Sequence, residues 1–200
     1  LYLSIPIEPL TKDFFDISGK YFFVTSKDFL LHKNLLVSRS NCFLLCPHTS
    51  STISICLKNS DLKILATDLS DSALKVAHIN RERHNAFNVT FMQADWLAYS
   101  IENSLDLVIS NPPYLMPNDV HLEDLQHEPM IALISQNGSQ SFYEIASQAI
   151  FSLKSGGRII FEHGYSQAKE VSNILKDFGF KEIVSAQDLQ GLDRYTHAKK

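Results

Sequence analysis

Residues 61–84, which read DLKILATDLSDSALKVAHINRERH, carry the pattern that decides the fold. The apolar stretch 62–67 predicts a short buried strand. Ser70 follows as the predicted N-cap of a helix, and Asp71 places a negative charge in its first turn, where the helix dipole stabilises it. Apolar residues then recur at near-helical spacing to about residue 83. The stretch therefore predicts one strand followed by one helix, which is the repeating unit of an α/β domain.

The rest of the chain continues this alternation of strands and helices. Such alternation predicts a mostly parallel sheet with helices on both faces. The last two predicted strands follow each other without a helix between them, which predicts a hairpin at the end of the chain. The predicted strands cover 88–95, 105–110, 155–164, 181–188 and 193–199, the predicted helices cover 139–154 and 166–180, and Gly179 is the predicted C-terminal cap of the second of these helices.

Charge and composition narrow the class of protein. The formal net charge of −4 over 200 residues shows no excess of the basic residues that bind nucleic acid. No apolar run reaches the roughly 20 residues that a membrane helix needs, and the N-terminus lacks the basic region of a signal peptide. The three cysteines lack the spacing of a metal site and are interpreted as core residues in a reducing compartment. We therefore expect a cytoplasmic protein with no metal, no membrane contact and no direct nucleic-acid partner.

Three predicted strands end in polar residues that could meet at one edge of the sheet, namely Asp68, Asp95 and Asn111. In an open parallel sheet, ligands bind outside the carboxyl ends of the strands, where the strand order reverses. An acid at the end of the second strand commonly binds two ribose hydroxyls, which is the interpretation of Asp68; a plain strand-end acid that opens a helix is the alternative. Asp95 and Trp96 fit the edge of an adenine pocket, and core packing is the alternative for Trp96. His163 also ends a predicted strand and is interpreted as a packing or hydrogen-bonding residue, with a place at the site as the alternative.

The sequence NPPY directly follows the third predicted strand. A planar amide or amine nitrogen is a poor nucleophile because its lone pair is conjugated, so it must be held with that lone pair aimed at the group it attacks. The side-chain carbonyl of Asn111 and the backbone carbonyl of Pro112 can accept its two N–H bonds. Pro113 stiffens this backbone, and Tyr114 can stack on the plane of the substrate. The motif therefore predicts catalysis by positioning, and a strand stop followed by a turn is the alternative.

NPPY after an apolar strand resembles motif IV of the amino-methyltransferases that use S-adenosylmethionine, whose substrates are DNA adenine, ribosomal RNA guanine or protein glutamine. The flanking segments narrow the resemblance to the release factor glutamine methyltransferase family. These segments read NPPYL…HEPMIAL, LKSGGRIIFEHGYSQAKEVSNILKDFGF and DLQGLDRYTHAK. The resemblance covers roughly residues 52–200 and, more loosely, residues 8–31.

The resemblance implies a fold, an activity and a set of site residues. The fold is the Rossmann-like α/β fold of class I methyltransferases, with a mostly parallel seven-stranded sheet and a C-terminal antiparallel hairpin. The activity is transfer of a methyl group from S-adenosyl-L-methionine to the side-chain amide of the GGQ-loop glutamine in peptide chain release factors. The resemblance implies that Asp68 holds the ribose of the cofactor and that Asp95 and Trp96 line its adenine. The residues that would receive the glutamine are Asn111, Pro112, Pro113 and Tyr114, and Asn111 would also border the cofactor. Glu128 would brace the loop, and a solvated acid is the alternative.

One block departs from the family pattern. The first strand of the family ends in a glycine-rich loop whose backbone approaches the cofactor. The corresponding residues 45–51 read LCPHTSS and contain neither glycine nor an acid, and everything from 32 to 51 is off the pattern. Two alternatives to an active release factor methyltransferase therefore stay open: a catalytically impaired relic of that family, and a nucleic-acid amino-methyltransferase that shares NPPY.

The family pattern also divides the chain in two. Residues 19–31 predict a strand or a hairpin, and residues 1–31 are interpreted as a remnant linker that precedes the catalytic domain. Residues 32–200 form the predicted methyltransferase domain. The chain begins with Leu1, so a fragment of a longer protein is one interpretation, and a translation opened upstream of the usual start is the other.

Overall fold

The computed structural model describes residues 22–24, 29–31, 41–45, 49–58, 60–114, 138–188 and 190–200. None of the helices in these residues has the length and the apolar character of a membrane span. The helices are α1 (Thr49–Lys58), α2 (Asp71–His84), α3 (Gln140–Ser152) and α4 (Ala168–Asp177). The strands are β1 (Phe22–Val24), β2 (Phe29–Leu31), β3 (Asn41–Leu45), β4 (Lys63–Asp68), β5 (Val89–Gln93), β6 (Leu105–Ser110), β7 (Leu153–Glu162), β8 (Lys181–Gln187) and β9 (Asp193–Lys199).

Seven of the strands form one sheet in the order β5-β4-β3-β6-β7-β9-β8. The strands β5, β4, β3, β6 and β7 pair in parallel, and β9 runs antiparallel to both of its neighbours. From β3 the chain moves outward through β4 and β5 and then crosses back to β6 and β7, so the strand order reverses between β3 and β6. The predicted mostly parallel α/β sheet with a C-terminal antiparallel hairpin is confirmed.

The strands β1 and β2 form a separate antiparallel pair, in which Phe23 lies opposite Leu30. This pair confirms the strand or hairpin predicted within residues 19–31. Its two strands have three residues each, so it is far smaller than the main sheet.

The helix predicted after β4 begins where the sequence places it. The Ser70 hydroxyl accepts a 3.2 Å hydrogen bond from the backbone N–H of Ala73, as an N-cap does. Asp71 lies in the first turn of α2 and pairs with Lys75 one turn later, with 2.6 Å between nitrogen and oxygen. Both side chains of this pair are exposed, so the cap does more than the ion pair to define the start of the helix.

The strand β7 begins two residues earlier than predicted. The helix predicted to reach residue 154 ends at Ser152, because Leu153 already pairs with Leu105 in the sheet. Gly157 allows the chain to pass close to its neighbours at this point. A Cβ on that residue would lie 2.9 Å from the carbonyl oxygen of Lys154 and 3.2 Å from that of Leu105.

The sheet is buried on both faces, as parallel sheets are. Successive residues of β6 point to opposite faces, so Leu107 and Ile109 join one core cluster and Val108 joins the other. The first cluster includes Cys56 of α1, and the second includes residues of α3 and α4, so helices cover both faces as predicted. Burial raises the pKa of the Cys56 thiol to about 12, so this cysteine packs as a neutral core residue.

Candidate functional site

The carboxyl ends of neighbouring parallel strands lie side by side at one edge of the sheet. Leu45 at the end of β3 pairs with Thr67 of β4 and with Ser110 of β6. Asp68 and Asn111 therefore leave the sheet on the two sides of β3, where the strand order reverses. Neighbouring strands are about 4.8 Å apart, so the backbones at these two ends are roughly 10 Å apart. The structure thus brings these two predicted site residues to the same edge.

Asp68 is half-buried at the end of β4. Its Oδ1 accepts a 2.7 Å hydrogen bond from the backbone N–H of Ser70, the residue that caps α2. Its second carboxylate oxygen has no hydrogen-bond partner within the part of the chain that the structure describes. The hydrogen bond from Ser70 to Oδ1 agrees with the alternative interpretation of Asp68, in which it is an acid that opens a helix. The interpretation of Asp68 as a ribose acceptor depends on its second oxygen and stays a prediction.

Trp96 lies in the loop after β5, and its φ of 47° is rare for a bulky side chain. The hydroxyl of Thr67 donates a 3.0 Å hydrogen bond to the carbonyl of Trp96. The indole N–H donates at 3.0 Å to Oε2 of Glu144 on α3, and the ring packs against the core cluster of α3 and α4. Core packing, the alternative interpretation of Trp96, describes these contacts. Its role beside adenine stays a prediction.

The same loop is held from α3 at a second point. The backbone N–H of Leu97 donates a 2.8 Å hydrogen bond to Oε1 of Gln148. Asp95, the predicted adenine ligand, is exposed in this loop, and its carbonyl accepts a 3.0 Å hydrogen bond from the backbone N–H of Ala98. Glu144 and Gln148 are not among the site residues that the sequence predicts. The sequence pattern that could have indicated them is their spacing, because two polar residues four positions apart lie on one face of the helix.

The NPPY motif continues the chain from β6 at the edge of the sheet. Pro112 is buried, and Asn111, Pro113 and Tyr114 are half-buried. Ser110, the residue before the motif, is fully buried, and its hydroxyl has no hydrogen-bond partner among the described residues. An unpartnered buried hydroxyl is a group that a bound ligand can satisfy. The four predicted substrate residues thus stay together at the end of β6, and their roles stay predictions.

His163, which directly follows β7, is fully buried. Its Nδ1 lies 2.9 Å from the carbonyl oxygen of Gly164, and its Nε2 lies 2.8 Å from the hydroxyl of Thr196. A carbonyl oxygen only accepts, so Nδ1 carries the proton and Nε2 accepts from Thr196. Burial lowers the pKa of His163, which keeps the ring neutral at neutral pH. The predicted packing and hydrogen-bonding role of this histidine is confirmed.

Gln167 is a further residue at this edge that the sequence does not predict. It occupies the N-cap position of α4, yet its side chain makes no capping hydrogen bond. Its amide instead contacts the backbone of Gly164, Gly138 and Tyr114. A helix N-cap needs a short polar side chain, so Ser, Thr, Asp or Asn is preferred there. A glutamine at this position could therefore have indicated that its side chain has another partner.

Two parts of the predicted site lie outside the described residues: Glu128, and residues 46–48 of the predicted cofactor loop. The strand β3 ends at Leu45 and α1 begins at Thr49, so three residues join them. The N-terminus of α1 therefore follows the strand whose end lies between Asp68 and Asn111.

Similarity to known proteins identifies the family to which this fold belongs. A family model for the methyltransferase domain matches residues 46–197. The release factor glutamine methyltransferase of Coxiella burnetii is 34% identical to this chain over 149 residues, which cover 74% of the chain and 54% of that protein. The protein of the same name from Buchnera aphidicola is 36% identical over 168 residues, which cover 82% of the chain and 60% of that protein. The chain thus spans a little over half the length of these relatives.

A solved structure has the same fold. A methyltransferase from Pyrococcus furiosus superposes with a TM-score of 0.60 over 80% of this chain and 75% of that one, at 14% identity. The resemblance to release factor glutamine methyltransferases that the sequence predicts is confirmed. The match of the family model over three quarters of the residues shows that the chain belongs to the methyltransferase domain family.

Proposed function

We propose that this chain carries the catalytic domain of an enzyme that uses S-adenosyl-L-methionine to methylate the side-chain amide of the GGQ-loop glutamine in peptide chain release factors. One observation carries the proposal: NPPY follows β6 directly, at the edge where the strand order reverses. The names of the relatives at 34% and 36% identity support glutamine as the substrate over a nucleic-acid base. Release factors act in translation, so the cytoplasm is the proposed location.

The proposed substrate is a planar amide, whose nitrogen lone pair is conjugated with its carbonyl. The side-chain carbonyl of Asn111 and the backbone carbonyl of Pro112 accept the two N–H bonds of this amide. The ring of Pro112 fixes its φ at about −65°, and Pro113 restricts the ψ of Pro112 to the extended region, so the second acceptor keeps its direction. Tyr114 covers the plane of the amide. Such positioning lowers the barrier by several kcal/mol. Transfer would break the C–S bond of the sulfonium as the C–N bond forms, leaving a neutral thioether, and the methylated amide nitrogen would release one proton to water.

The described residues fit a cofactor that contains a ribose. S-adenosyl-L-methionine supplies the methyl group on a positively charged sulfur. Asp68 offers the ribose its second carboxylate oxygen, and Asp95 and Trp96 follow the next strand of the sheet, where the adenine is proposed to lie. Asn111 borders both the methyl group and the glutamine. The buried hydroxyl of Ser110, which has no partner in the described part of the chain, supports a ligand at this edge.

The division of the chain predicted from the sequence is part of the proposal. Residues 1–31 are a linker or hairpin that precedes the catalytic domain, and residues 32–200 are the methyltransferase domain. The family model matches residues 46–197, which supports the second unit. Glu128 is proposed to brace the substrate side of the site.

Two measurements on the 200-residue chain test the proposed function. Isothermal titration calorimetry with S-adenosyl-L-methionine measures cofactor binding. Mass spectrometry of a release factor, incubated with the chain and the cofactor, should show one added methyl group on the GGQ-loop glutamine. An Asn111→Ala variant should add this group about 100-fold more slowly, because the amide loses one of its two acceptors.

The other outcomes separate the alternatives. A chain that binds no S-adenosyl-L-methionine would be an impaired relic, as the sequence of residues 45–51 allows. A chain that methylates DNA or RNA but leaves the release factor unmodified would be a nucleic-acid methyltransferase. Either result would overturn the proposed function without affecting the fold.

A further inference from the structure

The side-chain amide of Gln167 joins three backbone segments at the carboxyl edge of the sheet. Its Oε1 accepts a 2.9 Å hydrogen bond from the backbone N–H of Gly164, which follows β7. Its Nε2 donates to the carbonyl of Gly138, which precedes α3, at 3.1 Å, and to the carbonyl of Tyr114 at 3.5 Å. Tyr114 is the last residue of NPPY. One half-buried side chain therefore ties the substrate motif to two other elements of the domain.

The neighbours of Gln167 allow only one orientation of its amide. The backbone N–H of Gly164 only donates, so it must face the amide oxygen. The carbonyl oxygens of Tyr114 and Gly138 only accept, so they must face the amide nitrogen. Both hydrogens of the NH₂ group then have an acceptor, and a flipped amide would lose all three hydrogen bonds.

The turn that carries Gln167 is itself rigidly held. The carbonyl of Gly164 accepts hydrogen bonds from the backbone N–H of Gln167 and from Nδ1–H of His163, each at 2.9 Å. His163 is fully buried and accepts from the hydroxyl of Thr196 on β9. The helix that starts at this turn buries Val171 in the core. Gln167 therefore reaches toward Tyr114 from a fixed base.

The lack of a side chain at Gly164 lets Gln167 and Tyr114 meet at the same place. A Cβ on Gly164 would lie 3.0 Å from Oε1 of Gln167 and 3.6 Å from Cδ2 of the Tyr114 ring. The ring also packs against the core cluster of α3 and α4. The Gly164 turn thus borders the ring of Tyr114 while Gln167 binds its carbonyl.

The prolines of the motif make the position of Tyr114 matter for the reaction. Pro112 and Pro113 each have a fixed φ, so the backbone between Asn111 and Tyr114 has few soft torsions. A shift of Tyr114 is therefore passed on to the two substrate acceptors, the side-chain carbonyl of Asn111 and the backbone carbonyl of Pro112. A misplacement of about 1 Å at a positioning group can reduce a rate by about 100-fold.

We propose that Gln167 is a positioning residue for methyl transfer, because its amide holds Tyr114 and through it the two carbonyls that receive the substrate amide. This inference rests on the proposed function. None of the hydrogen bonds described for Gln167 involves Asp68, Asp95 or Trp96. Its loss should therefore lower kcat for the release factor far more than it weakens cofactor binding.

Two substitutions separate positioning from general stabilisation. Gln167→Ala removes all three hydrogen bonds. Gln167→Glu has the same shape and keeps an acceptor for Gly164, but it places a carboxylate oxygen against the carbonyls of Tyr114 and Gly138. We expect kcat for the release factor to fall about 10- to 100-fold in both variants, with the larger fall in Gln167→Glu. The Kd for S-adenosyl-L-methionine should stay within about twofold of the wild-type value, because Gln167 is hydrogen-bonded to none of the three residues proposed to hold the ribose and the adenine.

A control and a second readout complete the test. Asn173→Ala lies on the same helix and removes an exposed side-chain amide, so its kcat should equal that of the wild type. Hydrogen exchange of the Gly164 amide reports on the contact without activity, and it should be faster in Gln167→Ala but not in Gln167→Glu.

Each outcome decides the inference. Faster exchange of Gly164 in Gln167→Ala together with unchanged kcat and KM would make Gln167 a structural residue and overturn the proposal. Unchanged exchange would show that the contact is absent in solution, with the same consequence. If Gln167→Ala does not fold, the test uses Gln167→Glu alone. A wild-type kcat in Gln167→Glu would then refute the inference. A wild-type chain that transfers no methyl group would instead reject the proposed function, and the inference with it.

Discussion

Replacing Asp68 by asparagine should separate the two tasks of this side chain. Its Oδ1 accepts a 2.7 Å hydrogen bond from the backbone N–H of Ser70, and the amide oxygen of asparagine can accept the same bond. The second carboxylate oxygen is the proposed ribose acceptor, and in the variant an NH₂ group that cannot accept takes its place. We therefore expect Asp68→Asn to fold like the wild type and to bind S-adenosyl-L-methionine more weakly.

The expected loss of affinity follows from the number and kind of hydrogen bonds. A hydrogen bond to a charged group contributes about 1.5–3 kcal/mol, and one between neutral groups about 0.5–1.5 kcal/mol. Asp68→Asn loses the charged hydrogen bond between the ribose and the second carboxylate oxygen, which removes about 1.5–3 kcal/mol. Since about 1.4 kcal/mol is a factor of ten in Kd, the Kd should rise roughly 10- to 150-fold.

Calorimetric titration measures this Kd, and urea unfolding followed by circular dichroism measures the free energy of unfolding. The bond to Ser70 is kept but becomes a bond between neutral groups, so the free energy of unfolding should fall by no more than about 1–1.5 kcal/mol. Asp71→Asn is the matched control, because it removes the same charge three residues later from an exposed pair with Lys75. Wild-type affinity in Asp68→Asn would refute the ribose assignment. Equal weakening in Asp71→Asn would attribute the effect to net charge.

Two further predictions concern stability. Gly157→Ala should lower the free energy of unfolding by about 1–3 kcal/mol, because the new Cβ meets two backbone carbonyl oxygens at 2.9 and 3.2 Å. Urea unfolding measures the change, with the exposed Ser155→Ala as control, and an unchanged midpoint would contradict the expected clash. Burial lowers the pKa of His163 below its unfolded value of about 6.5, so the unfolded chain binds more protons and stability falls as the pH decreases below about 6.5. His163→Gln should lack this part of the pH dependence, and a wild-type slope of stability against pH in the variant would contradict it.

Much of the fold could be predicted because its signals are local. Ser70 and Asp71 mark the start of α2 by hydrogen bonds and charges within one turn of the helix. The apolar run of β6 predicts burial on both faces because successive side chains of a strand alternate between the faces. The end of α3 was predicted two residues too late because pairing of Leu153 with Leu105 stops the helix, and that partner lies 48 residues earlier in the chain.

The candidate site could be predicted only in part. The residue types at the strand ends are visible in the sequence, and parallel strands bring their carboxyl ends to one edge. The surroundings of each side chain are not visible there. Trp96 fits an adenine or a core equally well by its chemistry, and only the position of Glu144 on α3 shows where its indole N–H goes.

Local sequence was thus enough for most of the strands and helices after residue 60 and for the start of α2, and it indicates Asp68 and Asn111 as polar residues at the ends of two strands. Those properties depend on hydrogen bonds, charges and side-chain alternation between residues a few positions apart. Tertiary structure decided which groups meet at the edge. Trp96 and Glu144 are 48 residues apart, and Gln167 and Tyr114 are 53 residues apart. Such contacts follow from how the sheet and helices pack as a whole, and no local pattern of residues records that packing.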